Sequence, residues 1–366
     1  MRAQPLHVKE RDVVVVGGGQ SALAVAYYLR RTELTYVLLD AGAEPGGAWR
    51  GMWESLRLFS PAQWSSLPGR LMPGGTHYYP TRDETIAYLA EYERRYDVPI
   101  ARPTTVTAVV RADEHLDVVT SNRGTWRARA VVSATGTWST PNVPALAGRD
   151  AFRGAIIHSA QYRSPAEFET RRVVVVGAGN SGAQIVADLS GTAHVTWATL
   201  HPPSFLPDDV DGRYLFGEES QRYRAMTAGS HELPPRTLGD IVMVEPVRRA
   251  RDQGLLNAVP MFERLTADGV QWPDGRLTSE DAVILATGFR PSLDHLRDLE
   301  VREPNGRVLT QGTRALREPR LWLVGYGDWT GYASATLIGV GRSARATVEQ
   351  IERALRGADG ARGVEG

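Results

Sequence analysis

The stretch Arg11–Ala24, RDVVVVGGGQSALA, constrains this chain more than any other. Val13–Val16 is a continuous apolar run, as expected of a strand buried on both faces of a parallel sheet. Gly17, Gly19 and Ala22 fit G-x-G-x-x-G/A, and Ala22–Arg31 reads as the helix that follows. Gly17 suits the tight turn, Gly19 lets backbone N–H groups approach a pyrophosphate, and small Ala22 lets helix and strand pack closely. A second apolar run, Thr35–Leu39, ends in Asp40, placed where a carboxylate accepts hydrogen bonds from a ribose. Strand, turn, helix, strand and acid together predict a dinucleotide site.

The pattern recurs. Val173–Val176 is apolar, Gly177-Ala178-Gly179-Asn180-Ser181-Gly182 is a full G-x-G-x-x-G, Ala183–Leu189 reads as a helix, and His194–Leu200 as a strand. Two such units in one chain imply that one dinucleotide reduces another. The natural pair is FAD in the first and NAD(P)H in the second. The strand His194–Leu200 ends without an Asp or Glu. A carboxylate there would accept the ribose 2′-OH of NADH and repel a 2′-phosphate, so a mild preference for NADPH is expected, with Thr199 and His201 as phosphate partners.

Between and after the units, Val106–Arg111, Leu116–Thr120 and Thr125–Ala130 read as a β-meander, and Val131–Ser133 as a returning strand ending in Ala134-Thr135-Gly136. Pro141 and Pro144 predict an extended crossover. Ala282–Ala286 ends in a second Ala-Thr-Gly at Thr287-Gly288, after a hairpin over Val270–Thr278, and Leu321–Val324 ends in Gly325-Tyr326-Gly327-Asp328. Ligands in open α/β sheets lie beyond such strand ends. Thr81-Arg82-Asp83-Glu84 has the capping-box form, with Ile86, Leu89 and Tyr92 on one helix face. A helix over Ala333–Leu355 closes the fold, and the tail after Arg356 is expected to be disordered.

Composition removes several chemistries. The chain has no cysteine, hence no disulfide, thiol nucleophile or redox dithiol, and a thioredoxin-reductase-like relay is excluded. Lys9 is the only lysine and precedes the first strand, so Schiff-base catalysis has no candidate. The 42 basic and 42 acidic residues are interspersed, and the Arg doublets at 30–31, 94–95, 171–172 and 248–249 lie far apart, which argues against a nucleic-acid surface. No apolar run reaches membrane-spanning length, and no signal-peptide pattern begins the sequence. The expectation is a soluble cytoplasmic protein that binds no metal, with a homodimer one candidate state.

These motifs, in the order GGGQSA, GGAW, LRLFSPAQWSSLP, YPTRDE, SATGTWSTPNVP, FRGAIIHSAQY, GAGNSG, LATGF and LWLVGYGDWTG, run from Val13 to about Ile351. In this order the chain resembles the class B flavin-dependent monooxygenases. Plant YUCCA-type and animal flavin-containing enzymes are relatives, and the resemblance is strongest to short bacterial forms associated with arsenic-resistance operons. Phe152-x-Gly154-x-x-x-His158-x-x-x-Tyr162 matches the family's linker motif, with Tyr162 for the commoner Trp. The resemblance implies an α/β fold of two Rossmann-like domains, the second inserted in the first: residues 1–165 and 285–366 for FAD, residues 166–284 for NADP. It further implies that NADPH reduces FAD and that a flavin C4a-hydroperoxide oxygenates a small soft nucleophile (sulfur, nitrogen or trivalent arsenic). The alternatives are an oxidase or redox-sensing flavoprotein without oxygenation, and Baeyer–Villiger oxygenation. The cofactor-binding candidates are Gly17, Gly19, Gln20, Ser21, Ala22, Asp40, Gly47, Trp49, Val106, Thr135, Gly136, Gly177, Gly179, Asn180, Ser181, Gly182, Thr199, Thr287, Gly288 and Asp328. Ser60, Gln63 and Trp64 are candidates for the flavin-side wall, and His158 for supporting domain geometry during catalysis. Phe59, Trp64, Tyr78 and Trp329 are candidate pocket aromatics, with Arg57 and Arg70 nearby. The Asn that animal members place near the flavin in this segment is absent.

Overall fold

A computed structural model describes residues 8–208, 210, 240–331 and 333–362. The chain opens with β1 (Lys9–Val16), α1 (Gln20–Leu29) and β2 (Tyr36–Leu39), the parallel β-α-β unit expected from the first glycine turn. The helix begins two residues earlier than the pattern suggested, at the residue after Gly19. α2 (Arg82–Arg95) follows, with a complete capping box: Glu84 N–H donates to Thr81 Oγ1 and Thr81 N–H to Glu84 Oε2. Leu89 and Tyr92 are buried, while Ile86 is half-buried beside Gly46. β3 (Ile100–Ala101) adds to the edge of the sheet beyond β2.

β4 (Val106–Ala112), β5 (His115–Thr120) and β6 (Thr125–Ser133) form the expected meander, with one correction. The third meander strand and the returning strand are a single nine-residue β6. Its first half pairs antiparallel with β5, while the strand pairs parallel with β1 along its length, so no break is needed where the hydrophobic pattern changes. Alternating burial at the start of β6 becomes continuous burial from Ala130, as a strand leaving a two-stranded flap for a sheet interior requires.

β7 (Ala155–His158), β8 (Arg172–Val176), α3 (Asn180–Leu189), β9 (His194–Thr199), α4 (Glu245–Asp252), β10 (Ala258–Pro260) and β14 (Ala282–Leu285) build a second sheet in the order β10-β9-β8-β14-β7, all parallel. The intervening β11 (Arg264–Leu265), β12 (Gly269–Gln271) and β13 (Leu277–Ser279) make a small antiparallel sheet that contains the expected hairpin. Strand pairing places β7 in the second sheet, ahead of the boundary at 165/166 expected from the sequence. The loop after β2 also crosses over: Trp53 and Leu56 pack in the second sheet's core, and Glu54 N–H donates to Arg163 O at 2.9 Å.

The chain then returns to the first sheet through β15 (Thr310–Gln311), β16 (Arg314–Ala315) and β17 (Leu321–Leu323), giving the order β15-β16-β17-β6-β1-β2-β3. α5 (Val340–Arg362) packs on α1. It starts later than Ala333, because Ala333 takes φ 54° and the chain turns through Gly339 before helical bonds begin. It also runs past Arg356 to Arg362, so the tail is helical over that stretch rather than disordered. Each main sheet carries buried apolar side chains on both faces. Among the described residues no helix is long and apolar enough to cross a membrane.

Candidate active site

Both glycine turns use the same local geometry. Gly17 has φ 116° and Gly177 φ 132°, a region L-residues avoid. A Cβ at Gly17 would lie 2.6 Å from Ala134 O, and one at Gly177 would lie 2.2 Å from Ala286 O. Each first glycine is thus pressed against the carbonyl of an Ala-Thr-Gly strand end. At Gly19 and Gly179, by contrast, a Cβ would meet no protein atom within 4 Å, so the space beside each is open to a ligand.

The helices that begin there also differ from α2. α1 and α3 have glycine N-caps, no side-chain cap and no acid in the first turn. Their first N–H groups keep no intramolecular anion, which is what an anionic pyrophosphate needs. α2 fills the same positions with Thr81, Asp83 and Glu84.

The first turn opens into a cavity of about 990 Å³ lined by Gly17, Gly19, Gln20, Ser21, Asp40, Gly47, Trp49, Val106, Thr135 and Gly136, all anticipated from the sequence. Ala22 is fully buried beneath the turn and serves helix–strand packing. Gln20 joins two walls, accepting from Trp49 Nε1–H at 2.9 Å and donating to Ala335 O at 2.7 Å. Thr104 also lines the cavity, but its Oγ1 is buried below the cavity surface, with no partner among the described residues. The open glycine cradle and the uncapped N–H groups of α1 are what a dinucleotide-sized ligand would fill. The residues present fit such a group.

Beneath Thr135 runs a chain of hydrogen bonds whose sense is fixed by its last acceptor. Thr135 Oγ1–H donates to Ser292 O at 2.6 Å, so it accepts from Tyr326 O–H at 2.7 Å. Tyr326 in turn accepts from Ser133 O–H at 2.5 Å, which leaves Ser133 to accept from His295 Nε2–H at 3.0 Å. Burial lowers the His295 pKa to about 4 and raises that of Tyr326, so both rings stay neutral near neutrality.

The second turn is pinned from the side. Asn180 donates from Nδ2 to Asp240 O and accepts at Oδ1 from Val242 N–H, both at 2.9 Å, while Trp197 Nε1–H donates to Gly177 O at 2.8 Å. Ser181 is half-buried on α3, and Gly182 is buried with the position of its missing Cβ 2.2 Å from Gly177 O. Thr199 is buried at the end of β9, whereas Leu200 is 80% exposed.

The two sheets are joined by a ribbon. Pro141 and Phe289 form an antiparallel bridge, Asn142 N–H donates to Gly288 O at 2.9 Å, and Thr287 Oγ1–H donates to Asn142 O at 2.6 Å. His158, at the end of β7, donates from Nε2 to Gly288 O at 3.0 Å and accepts at Nδ1 from Ala160 N–H at 3.1 Å. Burial lowers its pKa and favours this neutral tautomer. Its ring meets Phe289 edge-on, and Phe289 stacks on Trp138 at 5.0 Å in the cavity wall. Tyr162, the last residue of the linker motif, is fully buried and donates to Asp188 Oδ2 at 2.7 Å.

Other candidates lie apart from the cavity lining. Ser60 is buried with its hydroxyl paired to Ser65 at 2.7 Å, Gln63 is exposed, and Trp64 is half-buried. Phe59 packs near Leu206, Tyr78 donates to Glu84, and Trp329 lies against Tyr326. Arg57 donates to Tyr79 O, and Arg70 faces Glu91. Asp328 is exposed, while Gly325, three residues earlier, lines the cavity. Trp138, Phe289, Thr104 and His295 were not singled out from the sequence, although the first three sit within or next to motifs that were. Among the described residues no group of three or more His, Cys, Asp or Glu could hold a metal ion.

Residues 14–208 match the family model for pyridine nucleotide-disulphide oxidoreductases. The solved flavin-containing monooxygenase from Stenotrophomonas maltophilia is 49% identical, with a TM-score of 0.86 over 95% of this chain and 100% of that one. An uncharacterized CzcO-like oxidoreductase of Geobacillus kaustophilus is 29% identical over 93% of this chain and 98% of its own. The indole-3-pyruvate monooxygenase YUCCA6 of Arabidopsis thaliana is 30% identical over 76% of each. Two glycine cradles, a dinucleotide-sized cavity and relatedness along nearly the whole length agree: the chain belongs to the pyridine nucleotide-disulphide oxidoreductase family and, within it, to the flavin-containing monooxygenases.

Proposed function

We propose that the protein is an FAD- and NADPH-dependent monooxygenase acting on a small soft nucleophile: a sulfur, amine nitrogen or trivalent arsenic centre. The observation that carries this reading is the pair of matched glycine cradles joined by one ribbon, the first opening into a cavity of about 990 Å³. Bound flavin supplies the electron transfer and the activation of O₂. The chain supplies the rest. The turn at Gly17–Gly19 and the free N–H groups of α1 hold a pyrophosphate, and Asp40 accepts from a ribose. The turn at Gly177–Gly179 and α3 do the same for the nicotinamide dinucleotide.

Trp49, Met52, Trp138 and Phe289 give the cavity an apolar wall that excludes water from the reacting centre. His158 fixes the Gly288 carbonyl and, through Phe289, the orientation of Trp138. Arg50 at the rim is paired with Glu44. Of the acids that line the cavity, Asp40, Glu44 and Asp294 are paired with Arg102, Arg50 and Arg302, which leaves less charge to attract a cationic amine and favours neutral sulfur or arsenic substrates. The reaction balances as one NADPH, one proton and one O₂ consumed for each oxygen atom delivered, the second oxygen leaving as water.

The test supplies NADPH, O₂ and thioethers, amines, and inorganic or methylated arsenite, with products identified by mass spectrometry. Oxygenated sulfur or arsenic with matching NADPH consumption is expected. Stoichiometric peroxide with every candidate would mark an oxidase, and esters formed only from ketones would mark Baeyer–Villiger chemistry.

A further inference from the structure

We infer that Arg102 is a positioning residue that presets Asp40 to receive a ribose hydroxyl. This rests on reading the first cavity as the FAD site. Asp40 stands at the end of β2 with only 8% of its surface exposed. A carboxylate so withdrawn from water needs a partner. Arg102 supplies it, reaching Asp40 Oδ2 from Nε and from NH2 at 2.7 Å. The same guanidinium grips Glu93, near the end of α2, from NH1 and NH2 at 2.8 and 2.9 Å. Its side chain is 9% exposed, so one planar fork is spent entirely on two buried carboxylates.

The arrangement is asymmetric. Both Arg102 bonds fall on Oδ2, and Gly18 lets the carboxylate lie against the turn, since a Cβ there would sit 2.4 Å from Oδ2. The other oxygen, Oδ1, has one long contact, Gly42 N–H at 3.3 Å. It retains acceptor capacity on the oxygen that Arg102 does not use. Anchoring α2 requires only the Glu93 half of this cluster; the Asp40 half is built at the cavity.

Thr104 braces Asp40 from the backbone side. Its N–H donates to Asp40 O at 2.6 Å, which sets the two residues side by side. Its hydroxyl is buried below the cavity surface, so the acceptor left for a ligand here is Asp40 Oδ1, which suits a donating ribose hydroxyl.

The experiment titrates apoprotein with FAD and measures displacement by ADP and by 2′-deoxy-ADP. Wild type is expected to prefer ADP by about tenfold, on the order of a single charge-assisted hydrogen bond. In Arg102→Met combined with Glu93→Leu, FAD affinity should fall about tenfold or more and the ADP preference should vanish. Arg102→Lys, which keeps the charge without the fork, should recover part of it. Thr104→Val is the control that leaves the carboxylate and the guanidinium in place. It should keep the ADP preference, with the apoprotein melting temperature unchanged or higher, because it removes a buried unsatisfied hydroxyl. An ADP preference that survives loss of Arg102 would overturn the assignment. If wild type binds no FAD, or Gly19→Val binds it normally, the reading of the cavity fails and this inference with it. If Gly19→Val loses FAD while the Arg102 variants do not, this inference alone fails.

Discussion

After β1 the glycine turn faces a broad, open-mouthed cavity, with an acid at the end of the neighbouring strand and an arginine behind that acid. After β8 the same turn faces Asn180-held backbone, and the neighbouring strand ends in buried Thr199 and exposed Leu200. The backbone requirements match, down to the Ala carbonyl against each first glycine. What differs is the side-chain surround, and the proposed assignment of flavin to the first turn and nicotinamide to the second would account for it. A resident cofactor is gripped along its length, whereas a substrate dinucleotide that arrives and leaves needs a preformed turn and few further contacts.

The comparison can be broken most forcefully at the open glycines. Gly19→Val meets no protein atom, so it should fold, yet it should lose more than about 99% of bound flavin by blocking pyrophosphate approach. Gly179→Val should stay yellow and lose reduction by NADPH to a similar degree. Flavin absorbance and anaerobic stopped-flow reduction separate the two, and the opposite pattern would exchange the roles of the units.

Next come the closed glycines. Gly17→Ala and Gly177→Ala both place a Cβ on a carbonyl at positive φ, and each should destabilise by about 3 kcal/mol or more. Gly177→Ala is the worse of the two because its contact is closer. Denaturant titration of each variant gives the answer, and mild, equal costs would mean that the strand ends yield.

A smaller effect belongs to the first unit's buried histidine. His295 has its pKa lowered by burial from 6.5 to about 4, so the folded protein holds it neutral while the unfolded chain takes up a proton. Its stabilising contribution is complete above about pH 6.5 and is lost as pH falls toward about 4, by at most about 3 kcal/mol. His295→Gln should flatten this part of the melting-temperature profile; an unchanged profile would assign the acid sensitivity elsewhere. The smallest effect is at the end of β9, where kcat/KM should favour NADPH over NADH by about tenfold, roughly 1.4 kcal/mol. Equal rates with NADH would remove the distinction drawn from the missing carboxylate.

What the sequence revealed of this site was local. The glycine turns, the acid after β2, both Ala-Thr-Gly ends and the capping box at Thr81 are each carried by a few consecutive residues with a backbone reason to be there. Arg102 and Asp40 are 62 residues apart, and Ser133 lies 162 residues from His295 and 193 from Tyr326. No periodicity links such partners, because a crossover decides which strand ends become neighbours. The segment around Ser60 illustrates the converse. The resemblance offered Ser60, Gln63 and Trp64 as a flavin-side wall; in the fold Leu56, Leu58, Ala62 and Leu67 of this segment are buried and the Ser60 hydroxyl pairs with Ser65, outside the lining of the first cavity.

The ribbon formed by Pro141 and Phe289 bears on how such an enzyme can be rearranged. The chain leaves the first sheet and re-enters it at adjacent points, so everything between Asn142 and Gly288 is a closed excursion with its ends already in contact. An insert of this kind adds little loop-closure entropy to its host, whatever its length. The second unit is therefore close to a cassette: a corresponding unit from a relative, spliced at these two points, meets ends that need not move, but it has to match the host loop whose Trp53 and Leu56 pack in its core.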